Sequence, residues 1–211
     1  MNPTSMFIAI GPGEPLDTFL HSAKSRVHEA VGDQLYLSDP PHLTLYLAAF
    51  DDPDAVLSLV DGLSRGMSAF EVAFDDWFVF ERDPLTGGNT PVCRIEEPAS
   101  SFLRRLQRSI VETLSPIRNP QASRERYIGQ WSTLSPIRQQ SVERTGFPYT
   151  GDDWLPHFSV ASIRPDDWEA AWSVLKDRPP TGTFSCDWLR VYRLDGIEPV
   201  LLSEIRLRFG P

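Results

Sequence analysis

Two short strings in this chain carry residue types that can do chemistry: Pro41-His42-Leu43-Thr44-Leu45 and Pro156-His157-Phe158-Ser159-Val160. In each, an imidazole and a hydroxyl stand two positions apart, and the period of a β-strand sets both on one face. Imidazole titrates near neutral pH, so one copy can take a proton from water while the other gives one to a departing oxygen. The hydroxyls can hold the non-bridging oxygens of a phosphate as charge develops there. If the two strands meet at one cleft, the four groups suit phosphodiester chemistry in either direction, and that chemistry needs no metal. A lone His-x-Thr is weak as a motif. The weight comes from repetition, since both copies follow proline and both open an apolar strand. The remaining histidines, His21 and His28, lie seven apart on the polar side of a helix and read as solvated.

The elements that must position these groups can be read from apolar spacing. Residues 6–10 form a short apolar run that reads as a buried strand, and Leu16, Leu20, Ala23, Val27 and Val31 mark an amphipathic helix over 15–31 that Gly32 stops. A strand over 42–50 follows, then a helical stripe at Val56, Leu59, Val60 and Leu63, then an aromatic and β-branched strand over 70–80. After a turn-rich stretch a strand at 91–95 is expected as a hairpin partner, then a helix over 101–114 and an irregular stretch to about 153. Strand 157–163, a helix around Trp168 to Leu175, strand 184–192 and a last strand over 200–209 complete the reading.

The order is used twice. Each half runs strand, helix, strand opening with Pro-His, helix, and a strand holding Asp-Trp, at Asp76-Trp77 and Asp187-Trp188. From the histidine to that aspartate the halves span 34 and 30 residues. The expectation is one β-rich α+β domain over 1–211, with repeat halves near 6–82 and 91–193, a closing strand at 200–209 and an insert near 115–153.

Composition removes several classes of function. Lys and Arg number 20 against 29 Asp and Glu, a formal charge of −9, which disfavours duplex DNA while leaving room for a small phosphorylated ligand or an RNA end. The longest apolar run is far shorter than a membrane span of about 20 residues, and no basic-then-apolar leader opens the chain. No membrane association is expected, and the N-terminus is expected to be retained. Cys93 and Cys186 have no metal-ligand or disulfide spacing, so a reducing cytoplasm is the default. No cofactor is expected, and a monomer is favoured.

The paired motifs, with Gly146-Phe147-Pro148-Tyr149-Thr150-Gly151 ahead of the second, resemble the 2H phosphoesterase superfamily, in particular its bacterial branch related to 2′-5′ RNA ligase and cyclic phosphodiesterase. The resemblance covers nearly the whole chain. It implies a bilobal α+β fold: two pseudo-symmetric lobes of antiparallel sheet with outer helices and a central groove. It also implies His42 and His157 as acid and base, Thr44 and Ser159 as phosphate binders, and hydrolysis of 2′-linked phosphodiesters of nucleotides or RNA termini without a metal or cofactor. Ligation of 2′-5′ RNA, or nucleotide binding with little catalysis, are the alternatives. Related members often carry Arg soon after the second motif, where this chain has Ala161 and Ser162, and strand parity aims Arg164 away from the groove.

A replacement cation is sought in the insert, where Arg118 to Arg144 holds five Arg, two Glu and no Lys or Asp. Arg124 and Arg126, with Tyr127, Trp131 and Tyr149, read as a substrate-binding flap, guanidinium forks for phosphate and rings for bases. A solvated connecting loop is an equal reading. Tyr46 shares the parity of His42 and Thr44 and is a further groove candidate, although packing within the sheet is slightly favoured. Trp77 and Trp188 read as core residues, Asp75 and Asp76 as exposed carboxylates, and the hexapeptide at 113–118 recurs at 133–138 without a physical account.

Overall fold

The computed structural model describes residues 2–208. β1 (Thr4–Pro12) leads into α1 (Glu14–Val31), β2 (Leu43–Phe50), α2 (Pro53–Ser64), β3 (Phe70–Phe74), β4 (Phe78–Phe80) and β5 (Thr90–Arg94). There follow α3 (Ala99–Leu114), α4 (Pro120–Glu125), α5 (Pro136–Thr145), β6 (His157–Ser159), α6 (Trp168–Leu175), β7 (Gly182–Asp195) and β8 (Glu198–Arg206). The α+β class with antiparallel sheets holds. Among the described residues no helix is long and apolar enough to cross a membrane.

One sheet runs β2-β1-β7, with β3 and β8 both pairing to β7; the other runs β4-β5-β6. Cys186 is opposite Pro12 on one side and Phe70 on the other, so β3 and β8 lie along the same flank of β7. The sheets are therefore assembled across the sequence repeat. β1 and β2, from the first half, take β7 from the second; β5 and β6, from the second half, take β4 from the first. The register is offset by one between the halves: the Thr44 row runs through Ala9 to Arg190, two residues after Trp188, whereas the Ser159 row runs through Val92 to Phe78, directly after Trp77.

Four expectations need correction. The single strand read over 70–80 is two strands in different sheets. Asp75 and Asp76 are exposed, and the Asp76 carboxylate accepts the Trp77 N–H at 2.7 Å, removing that donor from any ladder. The strand read over 157–163 keeps its ladder only to Ser159, after which Ser162 and Ile163 make isolated bridges to Leu35 and Asn89. The last strand ends at Arg206, and Phe209 lies outside the described residues. The insert is helical, and it is docked: Asn119 N–H donates to Ala49 O at 2.7 Å and Ala49 N–H to Ser123 Oγ at 3.0 Å, covering the free edge of β2.

A fifth correction concerns Tyr46. Thr44 faces Ala9 but Tyr46 faces Ile8, so Leu45 is an extra residue in β2, a bulge that turns Tyr46 to the core face. Its side chain is fully buried and its hydroxyl donates to Thr145 O. Tyr46→Phe should lower the unfolding free energy by about 1 kcal/mol in urea denaturation, with the imidazole NMR signals unmoved. Shifted imidazole signals at unchanged stability would return Tyr46 to the groove.

Candidate active site

β2 and β6 are each the edge strand of their sheet, and they approach one another. Both histidine motifs thus sit on the two edges that meet. His42 precedes β2 and His157 opens β6, and each ring is fixed in the same way. His42 Nδ1–H donates to Pro40 O at 2.8 Å, and His157 Nδ1–H donates to Leu155 O at 2.6 Å. A carbonyl only accepts, so both rings are Nδ1–H tautomers and both present Nε2 as the free base. Aromatic neighbours hold them from the side, Phe7 at 5.0 Å from His42 and Phe80 edge-on at 4.9 Å from His157.

The hydroxyls share these faces. Thr44 stands opposite Ala9, which is on the same face as Phe7, and Ser159 stands opposite Val92, two positions from the Arg94 that faces His157. Both residues are half-buried. His42 and His157 are also in electrostatic reach of each other.

The two rings differ in their surroundings. Burial holds His42 down to about 4, a carbonyl acceptor works against this, and positive charge on Lys24, His157 and Arg190 adds to the depression. Burial also lowers His157, but there the Leu155 carbonyl and the Asp83 carboxylate favour the proton. Positive charge on Lys24 and Arg190 thus acts on His42, and the Asp83 carboxylate acts on His157.

Sequence reasoning missed Lys24, Arg190 and Asp83. Lys24 is buried with the apolar stripe of α1, and its ammonium donates to Tyr36 O at 2.6 Å and Val160 O at 2.9 Å. It thereby ties the segment leading to His42 to the residue after Ser159. Desolvation pushes its pKa down to about 8, with Asp39 opposing. The Tyr36 carbonyl it holds belongs to a residue at φ 67°, a left-handed conformation costly to a side-chain-bearing residue. A lysine four residues after Leu20 and three before Val27 was the available signal. A second tie is the Trp154 indole, which donates to Thr44 O at 3.2 Å.

The insert residues separate into groups. Tyr127 is buried in the core and, like Tyr46, offers no face to a ligand, because it closes the packing between the insert and the main core. Trp131 is half-buried under the Arg124 guanidinium at 4.9 Å, and Arg124 pairs with Glu143 at 2.6 Å. Tyr149 is half-buried beneath Arg138, itself paired with Asp153 at 2.6 Å. Arg126 is exposed. Arg164 is engaged by Asp167 at 2.7 Å, and the Ser162 hydroxyl is 2.6 Å from that of Thr86. His21 and His28 are exposed as expected, beside Asp17 and Asp33. Trp77 is core, its indole donating to Leu175 O at 2.9 Å, whereas Trp188 is half-buried between Arg190 and Arg206.

The sequence profile of the 2′-5′ RNA ligase superfamily matches residues 12–198. The chain belongs to this family. Among solved structures, the superfamily member resembles TT0787 of Thermus thermophilus at 16% identity, covering 98% of this chain and 100% of that one with a TM-score of 0.58. It also resembles Escherichia coli LigT complexed with NADP+, at 15% identity, 99% coverage of both chains and a TM-score of 0.50. Usb1 of Kluyveromyces marxianus matches at 13% identity, over 97% of this chain and 98% of that one, with a TM-score of 0.50. At these identities the likeness is one of fold. No curated protein sequence matches.

The ring geometry has a direct spectroscopic consequence. Imidazole nitrogen NMR should find both rings as Nδ1–H tautomers at neutral pH, with His42 taking a second proton only near pH 4. An Nε2–H tautomer in either ring would contradict the geometry.

Proposed function

We propose that this superfamily member is a phosphodiesterase that hydrolyses 2′-linked cyclic phosphates of nucleotides or RNA termini by acid and base catalysis from His42 and His157. The observation that carries the reading is the matched pair of imidazoles, each oriented by a carbonyl two residues earlier so that its Nε2 is free, on two edge strands that meet. Support also comes from LigT, whose solved structures include complexes with NADP+ and with phosphate.

The unlike surroundings divide the roles. His42, ringed by positive charge, stays neutral and takes the proton from water as its oxygen attacks phosphorus. His157, beside Asp83, holds the proton that passes to the departing ribose oxygen as the P–O bond breaks. The products are a phosphomonoester and a free ribose hydroxyl. Thr44 and Ser159 donate to the non-bridging oxygens, where charge rises in the transition state. The anionic substrate raises the pKa of whichever ring must carry a proton, so binding itself loads the acid.

Turnover of 2′,3′-cyclic nucleotides in excess chelator, followed by phosphorus NMR, tests the reaction class. Nucleotide binding without product would identify a binding module instead, and joining of 2′-5′ RNA ends without hydrolysis would identify a ligase.

Two further outcomes test the roles. His42→Ala and His157→Ala should each lower kcat/KM on a cyclic phosphate by roughly 10²–10⁴-fold. On bis(p-nitrophenyl) phosphate, whose leaving group needs no proton, His157→Ala should recover most of that loss and His42→Ala should not. The opposite pattern would exchange the roles. The kcat/KM profile should be bell-shaped and centred below pH 6.5, falling on the acid side as His42 gains its proton near 4 and on the basic side as His157 loses its own.

A further inference from the structure

We propose that Arg190 is the side chain that grips the anionic phosphate in this groove, the role that neither histidine motif supplies with a cation. This rests on the reading of the groove as a phosphodiesterase site.

The register places Arg190 on the row that already carries a phosphate-facing hydroxyl. Across four strands, Thr44 faces Ala9, Ala9 faces Arg190, and Arg190 faces Glu204. Residues opposite one another in a ladder share a face, so Arg190 and Thr44 look into the same space with only a methyl group between them. The next row is opener still. The β1–β2 ladder pairs Ile10 with Leu43, so continuing it by one residue sets Gly11 opposite His42. A Cβ at Gly11 would meet the Arg190 guanidinium carbon at 2.8 Å and Nη1 at 2.9 Å. The guanidinium therefore lies across the bare backbone of Gly11, toward His42.

It is also held there. Glu204 Oε2 takes the Nε–H at 2.6 Å, which fixes the plane of the guanidinium; the Tyr192 hydroxyl stands within hydrogen-bonding reach of it, and the remaining terminal N–H groups are left for an anion. The Arg190 side chain is only 14% exposed, so its charge acts in a poorly solvated setting, where it is screened least. A planar fork matches two phosphate oxygens at once.

Lys24, Arg164, Arg138, Arg124 and Arg94 have partners as Arg190 does, and none of them shares the Thr44 row with it. The Lys24 ammonium is taken up by backbone carbonyls. Arg164 is bound to Asp167 and Asp33, Arg138 to Asp153, Arg124 to Glu143 and Arg94 to Glu96. With the grip on the His42 side, a diester is received in one orientation.

The test titrates inorganic phosphate while the His42 and His157 NMR signals are followed, alongside melting temperature and turnover of a 2′,3′-cyclic nucleotide. Arg190→Gln should weaken phosphate roughly tenfold or more, the scale of one charge-assisted hydrogen bond, and should raise KM and lower kcat together. Arg190→Lys should restore part of the affinity and less of the turnover, since a point charge replaces a fork. Gly11→Ala should reproduce the loss with every charge in place, by displacing the guanidinium, and it keeps the proposal testable if Arg190→Gln fails to fold. Glu204→Gln should keep phosphate affinity within about threefold.

Wild-type phosphate affinity in folded Arg190→Gln or in Gly11→Ala would overturn the proposal, as would a wild-type protein that binds no phosphate. Absence of turnover by the wild type, with phosphate binding that still depends on Arg190, would instead remove the hydrolase reading and leave the phosphate site standing.

Discussion

The Lys24 ammonium enters the core on the apolar stripe of α1 and there donates to the carbonyls of Tyr36 and Val160, one on each side of the groove. Burying a charge is costly unless its hydrogen bonds are met, and here backbone acceptors from two distant segments meet them. The same two segments are bridged beside it, Ser162 N–H donating to Leu35 O at 2.8 Å, and Val160 N–H donates to Pro91 O at 3.1 Å. The stretch before His42 is loop, and the β6 ladder has just ended at Ser159. Lys24, the Trp154 indole on Thr44 O and the Leu35–Ser162 bridge together fix the spacing of two edge strands that do not pair with each other. The same ammonium adds to the lowering of the His42 pKa that burial begins, so the tie that sets the geometry also acts on the ring.

The groove is symmetric in its backbone and asymmetric in its charges. Two imidazoles held through Nδ1 by the carbonyl two residues before are one device used twice. What surrounds them differs because the Thr44 row reaches β7 at Arg190, whereas the Ser159 row reaches β4 at the aromatic Phe78. In the proposed reaction, a duplicated frame with unlike side chains gives one ring the part of base and the other that of acid. Fold resemblance to TT0787, LigT and Usb1 speaks for the frame, and the side chains of this chain speak for the division of labour.

Much of this was legible in the amino-acid string because periodicity and repetition are local signals. The His-x-Thr and His-x-Ser strands, α1 with its solvated His21 and His28, and the Asp-Trp anchors all follow from spacing. Tyr46 was a groove candidate only because parity counting assumes an unbroken strand, and one extra residue at Leu45 reverses every face beyond it. Strand 70–80 was misread because a side-chain acceptor at Asp76 competes with the ladder, which apolar content does not reveal. The insert was taken as irregular because its helices are short and weakly amphipathic. The recurring hexapeptide now reads as a helix-edge signal used in two ways: Ser115-Pro116 closes α3 in a tight turn, whereas Ser135 caps the start of α5. Arg190 and Asp83 were invisible for a different reason, since their importance lies in neighbours far along the chain.

The exchange of strands between the two halves also fixes when the molecule can fold. β1 and β2 are made early, yet the strand that must lie beside β1 is β7, at residues 182–195. During synthesis the first sheet is left with an open apolar flank until that strand emerges. Non-local pairing of this kind is slow to form, and until β7 is in place one flank of β1 stays unpaired and open to misassociation.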